Sequence, residues 1–403
     1  MKELFPLHEL GEIVAMSSYL QPILTAALFF FVLAIILIIP WLIYTYRKFG
    51  FLSISTTIII FSFLFYFMAA FFLTMLPLPA TRDNCGIGGA SATIPYSLVP
   101  FQFIKDTLKN SGIVLSQPTT YIYAIQQPAF QQAFFNFLLL LPFGIYLRYF
   151  FQQKKYWLRA LLIVFSTTLF YEITQATAFY GYYACPYRIF DVDDLMLNTA
   201  GGIFGFFAAP VVLAFFPSRA KVADKAKQIF VQDSVKPMAI LLALFIDSII
   251  LKFLDTSLRA IIPTDTIFSL ILYSMLFFAL VFITPIVFNG YTIGSAILRF
   301  RYTSRTNKRS TDIIRLFKRS LALYALYIGP TILSLLSNLH IPEDSIYFAL
   351  SIWLDIGIAA TYFFGSLVLI GHVIFVLIGR GRHRFFFDEA ADLFPTRLKK
   401  TDE

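Results

Sequence analysis

Long apolar stretches recur along the chain, each bounded by short polar or basic segments. A run of about 20 apolar residues is long enough to cross a ~30 Å hydrocarbon core. A bilayer leaves only helices or closed barrels to satisfy the backbone, and these runs lack a period-two alternation, so helices are predicted. We read nine spans, near 22–46, 52–76, 130–150, 159–178, 194–216, 238–254, 266–288, 320–337 and 356–378. The expected fold class is all-α, a polytopic helical membrane protein. The last apolar stretch, Ile346 to Ile378, is over-long for one crossing, and Asp355 interrupts it. This places 346–355 at the interface; tilt of one long helix is the rival reading. The first run is too long for a signal-peptide core, and no small-residue cleavage site follows it, so it is expected to be retained.

Composition agrees: 58% hydrophobic and 14% charged residues, with mean hydropathy +0.75, exceed what a soluble domain of 403 residues needs. The net charge of +9 reflects loops and implies no nucleic-acid partner. Segments 47–51, 148–159, 217–237, 289–319 and 379–403 hold 25 of the 32 Lys and Arg. Basic loops stay inside, so the expected topology is N-out and C-in. The polar, basic segment 217–237 divides the chain into an expected membrane domain at 1–216 and a second at 238–403. Its Ala220–Phe230 stretch reads as a short surface helix. The loop 77–129 is long, and 97–110 within it reads as an amphipathic helix.

Against this apolar background one polar cluster stands out. Glu172 and Gln175 lie near the end of the fourth span, spaced to share one helix face. Arg188 follows in the connection, then Asp191, Asp193 and Asp194 open the fifth span, with Asn198 a turn further in. Ionisable groups at that depth are costly without partners, solvent or a ligand. Convergence of all seven on one outer-rim site is one reading. Capping of the fifth helix by Asp193 and Asp194, and pairing of Arg188 with Glu172 or an aspartate, is the other. Gly201, Gly202 and Gly205 form a small-residue stripe, read as packing. Cys85 and Cys185 fall in separate outer loops, where an oxidising compartment permits a bridge; two unrelated thiols fit equally well.

These residues spell E-x-x-Q followed by R-x-F-D-x-D-D-L-x-x-N-T-x-G, which resembles the VanZ family of bacterial membrane proteins. Asn136, Pro142 and Gly144, in N-x-x-x-x-x-P-F-G, resemble a further element of that family. Pro100 and Phe101 resemble its N-L-x-P-F element, with Ser97 standing where Asn is usual. The resemblance covers roughly 25–215. It implies envelope biology on the outer face, since the family is named for lowered susceptibility to teicoplanin, and it assigns no reaction.

The second half places Asp247 ten residues into its first span, near the midplane. Lys252 follows, nearer the outer end, where it can snorkel. The loop NGYTIGSAILRFRYTS carries Gly290, Thr292, Gly294, Arg299 and Arg301. Arg305, Lys308, Arg309, Arg315, Lys318 and Arg319 follow, and read as contacts for anionic headgroups. Asp247, Gly294 with Arg299, and Arg384-Phe-Phe-Phe-Asp388 together resemble the RDD family. That family's Arg at the start of its first helix has no counterpart here; Lys236 is the nearest cation.

No nucleotide-binding loop or nucleophile elbow is present. His8, His340, His372 and His383 are scattered without metal-ligand spacing. The D-x-D-D acids offer oxygens to a hard cation, but capping and salt bridging explain the same residues, so no metal, no cofactor and no assigned catalytic residue are expected. Three functions stay open. The first is an accessory envelope protein of the bacterial plasma membrane. It would bind membrane lipids and a lipid-linked cell-wall precursor or lipoglycopeptide through Arg188, oriented by Glu172, Gln175 and Asn198. The second is an enzyme on an outer-leaflet lipid, using Glu172 or Asp191. The third is a transporter centred on Asp247.

Overall fold

The computed structural model describes residues 7–86, 96–113, 116–231, 235–262, 265–304, 312–337, 348–379 and 382–397. Among them, nine helices are long and apolar enough to cross a membrane. The chain forms two compact units, one of Met1–Ile39 with Ser53–Val222, the other of Pro40–Leu52 with Ala223–Glu403.

Helix α1 is Leu7–Phe49 and belongs to the first unit up to Ile39 and to the second from Pro40. In the first unit it is followed by α2, Ile54–Met75, started by Ser53, whose hydroxyl accepts from Thr56 N. The strand β1 (Tyr96–Ser97) and α3 (Gln102–Ser111) follow. The amphipathic helix expected at 97–110 is therefore shorter, because Ser97 is taken into a strand. The third span, Pro128–Phe151, is two helices, α4 (Pro128–Leu139) and α5 (Leu141–Phe151), broken at Leu140 just before Pro142. Proline lacks an N–H and clashes with the preceding turn. Beside this break the Leu139 carbonyl accepts from the Tyr66 hydroxyl at 2.7 Å. Next come α6 (Trp157–Ala176), β2 (Phe190–Asp191) and α7 (Val192–Leu213). Arg219–Val231 forms α8, which passes from the first unit into the second at Ala223.

The glycine stripe of α7 sets how closely these helices approach. A Cβ on Gly201 would lie 1.8 Å from Phe137 O, and one on Gly205 would lie 2.0 Å from Leu141 O. A Cβ on Gly144 of α5 would in turn meet Gly202 O at 1.8 Å. Only hydrogen fits between these backbones, the close approach that small residues permit in a bilayer. The buried core beside this contact joins Met75, Leu140, Phe143, Val164, Tyr171 and Phe206.

In the second unit, α9 is Pro237–Ile261 and α10 is Thr266–Val287, with a π-turn at Ala279–Ile283. The short α11 (Ile293–Ile297) opens on a capping box of Thr292 and Ser295. Then follow β3 (Phe300–Ser304), α12 (Ile313–Ser337), α13 (Phe348–Ile378), α14 (Phe386–Ala390) and β4 (Leu393–Arg397), with β3 and β4 antiparallel. Two expectations are corrected here. Helix α13 runs unbroken through Asp355, because an aspartate at a helix surface interrupts hydropathy without interrupting hydrogen bonding. Helix α12 begins at Ile313, so Arg315, Lys318 and Arg319 are helical residues and not loop cations.

Candidate functional site

The connection between α6 and α7 is held at several points. The sulfurs of Cys85 and Cys185 are bonded, with Cα atoms 5.2 Å apart. Asn84, buried, grips Cys185 from both sides: its Nδ2 donates to the Cys185 carbonyl at 2.8 Å and its Oδ1 accepts from Cys185 N at 2.9 Å. Ala184 N donates to Arg82 O at 2.8 Å. The segment then forms β2, parallel to β1, with Phe190 opposite Tyr96 and Asp191 opposite Ser97. Asn84 carried no signal in the sequence; a lone Asn in a loop looks like any turn residue.

The D-x-D-D run is divided among three tasks. Asp191 is the N-cap of α7, its Oδ1 accepting from Asp193 N at 2.9 Å. Burial pushes the Asp191 carboxyl above the usual carboxylate range, partly offset by that bond. Asp193 reaches across to α3, accepting from Phe101 N at 2.6 Å and Phe103 N at 3.0 Å. It therefore caps a helix other than its own, and the P-F element at Pro100 and Phe101 serves as a backbone donor. Asp194 accepts from Asn136 Nδ2 on α4. The expected capping of α7 by Asp193 and Asp194 is thus corrected, because Asp191 already occupies the cap position.

Glu172 and Gln175 are buried in the last turns of α6. Asp191 N donates to Glu172 Oε2 at 3.1 Å, and Gln175 Nε2 donates to Thr74 O on α2. Asn198 Nδ2 donates to Thr168 Oγ1 at 3.1 Å. Arg188 is exposed, and its Nη2 donates to Leu76 O at 3.0 Å; it pairs with no carboxylate among the described residues. The expected pairing of Arg188 with Glu172 or an aspartate is therefore absent.

A cavity of about 350 Å³ opens between these helices. Glu172, Gln175, Arg188, Asp194 and Asn198 line it together with Asn136 and Pro142. Asp191 and Asp193 do not line it; they shape the loops around it. Two polar atoms on its lining residues are buried without a partner among the described residues, the Tyr171 hydroxyl and Asn198 Oδ1. Tyr171 and Tyr66 were not singled out from sequence, since aromatic residues in apolar spans look like core.

The residues marked in the second half also partly assemble. Gly294 N donates to Asp247 Oδ1 at 2.6 Å, and a Cβ on Gly294 would lie 2.2 Å from Ala243 O. Asp388 pairs with Arg319, whose Nε donates to its Oδ1 at 2.7 Å, both 1% exposed. Arg299 stays exposed and takes no part. Arg319, expected to contact headgroups, is instead buried. Its alignment with buried Leu316, Ser320 and Leu323 on one helix face was the available signal. Among the described residues, no group of three or more His, Cys, Asp or Glu could hold a metal ion.

The disulfide closes a loop of 100 residues around the site. Removing such a bond costs typically about 2–4 kcal/mol. Cys85→Ser is expected to lower the thermal midpoint in detergent by several degrees. It should also open the Arg188 segment to protease. Alkylation with and without reductant checks the bond by mass, and two reactive thiols in the unreduced protein would refute it.

Residues 63–216 match the model of the VanZ/LLP1 family. Every residue lining the cavity lies inside that range. No curated protein and no solved structure matches the chain.

Proposed function

Taking the VanZ-like character of residues 63–216 as premise, we propose that this multi-pass membrane protein serves the bacterial cell envelope. In this reading it binds a lipid-linked anionic envelope molecule and thereby lowers the action of teicoplanin-type glycopeptides. The distribution of basic residues supports an N-out topology, which turns the mouth of the cavity toward the outer leaflet.

One observation carries the reading. Arg188 lines a cavity with a largely apolar wall, formed by Ala69, Leu73, Leu138 and Leu139, and among the described residues its guanidinium is tied to one backbone carbonyl. A guanidinium with free donors is suited to bidentate contact with phosphate or carboxylate. The apolar wall suits a lipid chain, and the buried polar groups beside it suit a head. An amphiphile satisfies all three at once.

Arg188→Ala is expected to lose the co-purifying anionic lipid and any glycopeptide resistance, at unchanged protein level. Glu172→Gln should weaken both, because it loosens the Asp191 backbone that positions the loop. The measurement is lipid extraction and mass spectrometry of the purified proteins, paired with teicoplanin susceptibility of the expressing cells. Equal lipid recovery from wild type and Arg188→Ala would remove the site from this reading.

A further inference from the structure

We propose that the cavity seats a single sugar ring carried directly on the phosphate of its lipid, with the phosphate at Arg188 and the ring among the side chains of α6 and α7. This rests on the lipid-binding reading above and adds the chemistry of the head.

The free polar ends in the cavity decide this. Asn198 is only 4% exposed; its amide nitrogen donates to Thr168, and its Oδ1 has no partner among the described residues. Glu172 uses Oε2 for Asp191 N, and Asp194 uses Oδ1 for Asn136, which leaves the second oxygen of each carboxylate. The Tyr171 hydroxyl, on a residue 2% exposed, is also without a partner among the described residues. These free ends are mostly acceptors, the Tyr171 hydroxyl able to donate as well, and Arg188 is the only cation of the lining among the described residues. A phosphate would meet no cation among Glu172, Asp194, Asn198 and Tyr171. It belongs beside Arg188, and the rest of the cavity calls for hydrogen-bond donors.

Donor geometry narrows the choice. Asp194 and Asn198 are four residues apart on α7, about 6 Å along the axis. Tyr171 and Glu172, on α6, line the same cavity. An ammonium presents three donors from one atom and cannot reach ends so dispersed. A sugar ring presents hydroxyls around a rigid frame, each able to donate and accept. Tyr66, Phe135 and Tyr171 in the lining supply aromatic surface for the faces of the ring. The cavity volume, about 350 Å³, is near the small end of ligand pockets, which span ~300–1,000 Å³. That accommodates one ring and the start of a chain; further sugars, peptide or an entire glycopeptide would lie outside.

The test uses the full chain in phosphatidylcholine nanodiscs. Three probes compete in native mass spectrometry: a polyprenyl phosphate bearing one hexose, the same polyprenyl phosphate without sugar, and phosphatidylethanolamine. Wild type is expected to prefer the hexose-bearing probe at least tenfold over either of the others. Tyr171→Phe should shrink that ratio severalfold; a ratio measured within one sample is insensitive to the folded fraction. Arg188→Ala should weaken both polyprenyl probes together. Equal retention of the two polyprenyl phosphates would overturn the sugar assignment while leaving anionic-lipid binding in place; preference for phosphatidylethanolamine would overturn both. Retention of none of the three would instead overturn the lipid-binding reading itself.

Discussion

Gly144→Ala is expected to prevent the first unit from reaching its native packing. The added methyl would lie 1.8 Å from Gly202 O and 2.6 Å from Phe206 N, both backbone atoms of α7. Backbone atoms cannot rotate away as a side chain does, so the relief must come from separating α5 and α7. That separation also withdraws Gly205 from Leu141 O, where another Cβ would meet backbone at 2.0 Å. Overpacking a core costs ~1–3 kcal/mol and sometimes more, and a clash with backbone belongs at the upper end. Because α7 carries Asp194 and Asn198, the cavity should be lost with the packing. The check is the yield of monodisperse protein and its thermal midpoint in detergent. Gly365→Ala, with open space around the new methyl, is the control and should be neutral or slightly stabilising. Equal behaviour of the two variants would show that α5 and α7 do not meet as described.

The second large effect is expected at Arg319. Its guanidinium is paired to Asp388 and its Cζ lies 3.8 Å from the centroid of the Tyr302 ring, all within the second unit. Arg319→Met leaves the buried Asp388 carboxylate without its ion-pair partner. Breaking a buried pair in this way costs about 3–5 kcal/mol. The double variant Arg319→Met with Asp388→Leu removes both charges and should regain most of that loss, since an apolar pair of similar volume replaces the ion pair at little net cost. A double-mutant cycle on thermal unfolding reads this coupling directly. Limited proteolysis of 382–397 should track it, because Asp388 anchors the segment that carries β4. If the double variant is as unstable as the sum of the singles, the two side chains do not form the pair.

How much of this was legible beforehand differs by feature. The nine spans follow from runs of apolar residues, because hydropathy is a local property and length is fixed by the hydrocarbon thickness. Helix ends were less legible. Helix α12 starts at Ile313 because the helix continues through residues that hydropathy scores as polar, and α13 passes Asp355 for the same reason. The polar cluster was legible as a set, yet not as a division of labour. Asp191, Asp193 and Asp194 look equivalent in sequence, but two of them hold loops and one faces the cavity. Tyr171, Asn84 and Arg319 were hidden because a Tyr among apolar residues, an Asn in a loop and an Arg in a basic stretch each have a commoner explanation.

The sequence by itself determined that this is a helical membrane protein, and it marked the residues at which α6 passes into α7 as chemically unusual. Both follow from local cost, since twenty apolar residues have nowhere better to go than a bilayer, and a carboxylate near its edge needs a reason. Only the tertiary structure decided which polar atoms meet and which remain free. Arg188 could have been spent on Glu172, but the pairing of β2 with β1 delivers the Asp191 backbone to Glu172 instead. Asn198 could have been saturated, but Thr168 takes only its amide nitrogen. Partner choice depends on distances between helices remote in sequence, set here by glycine contacts of one backbone on another, and no local pattern encodes those distances.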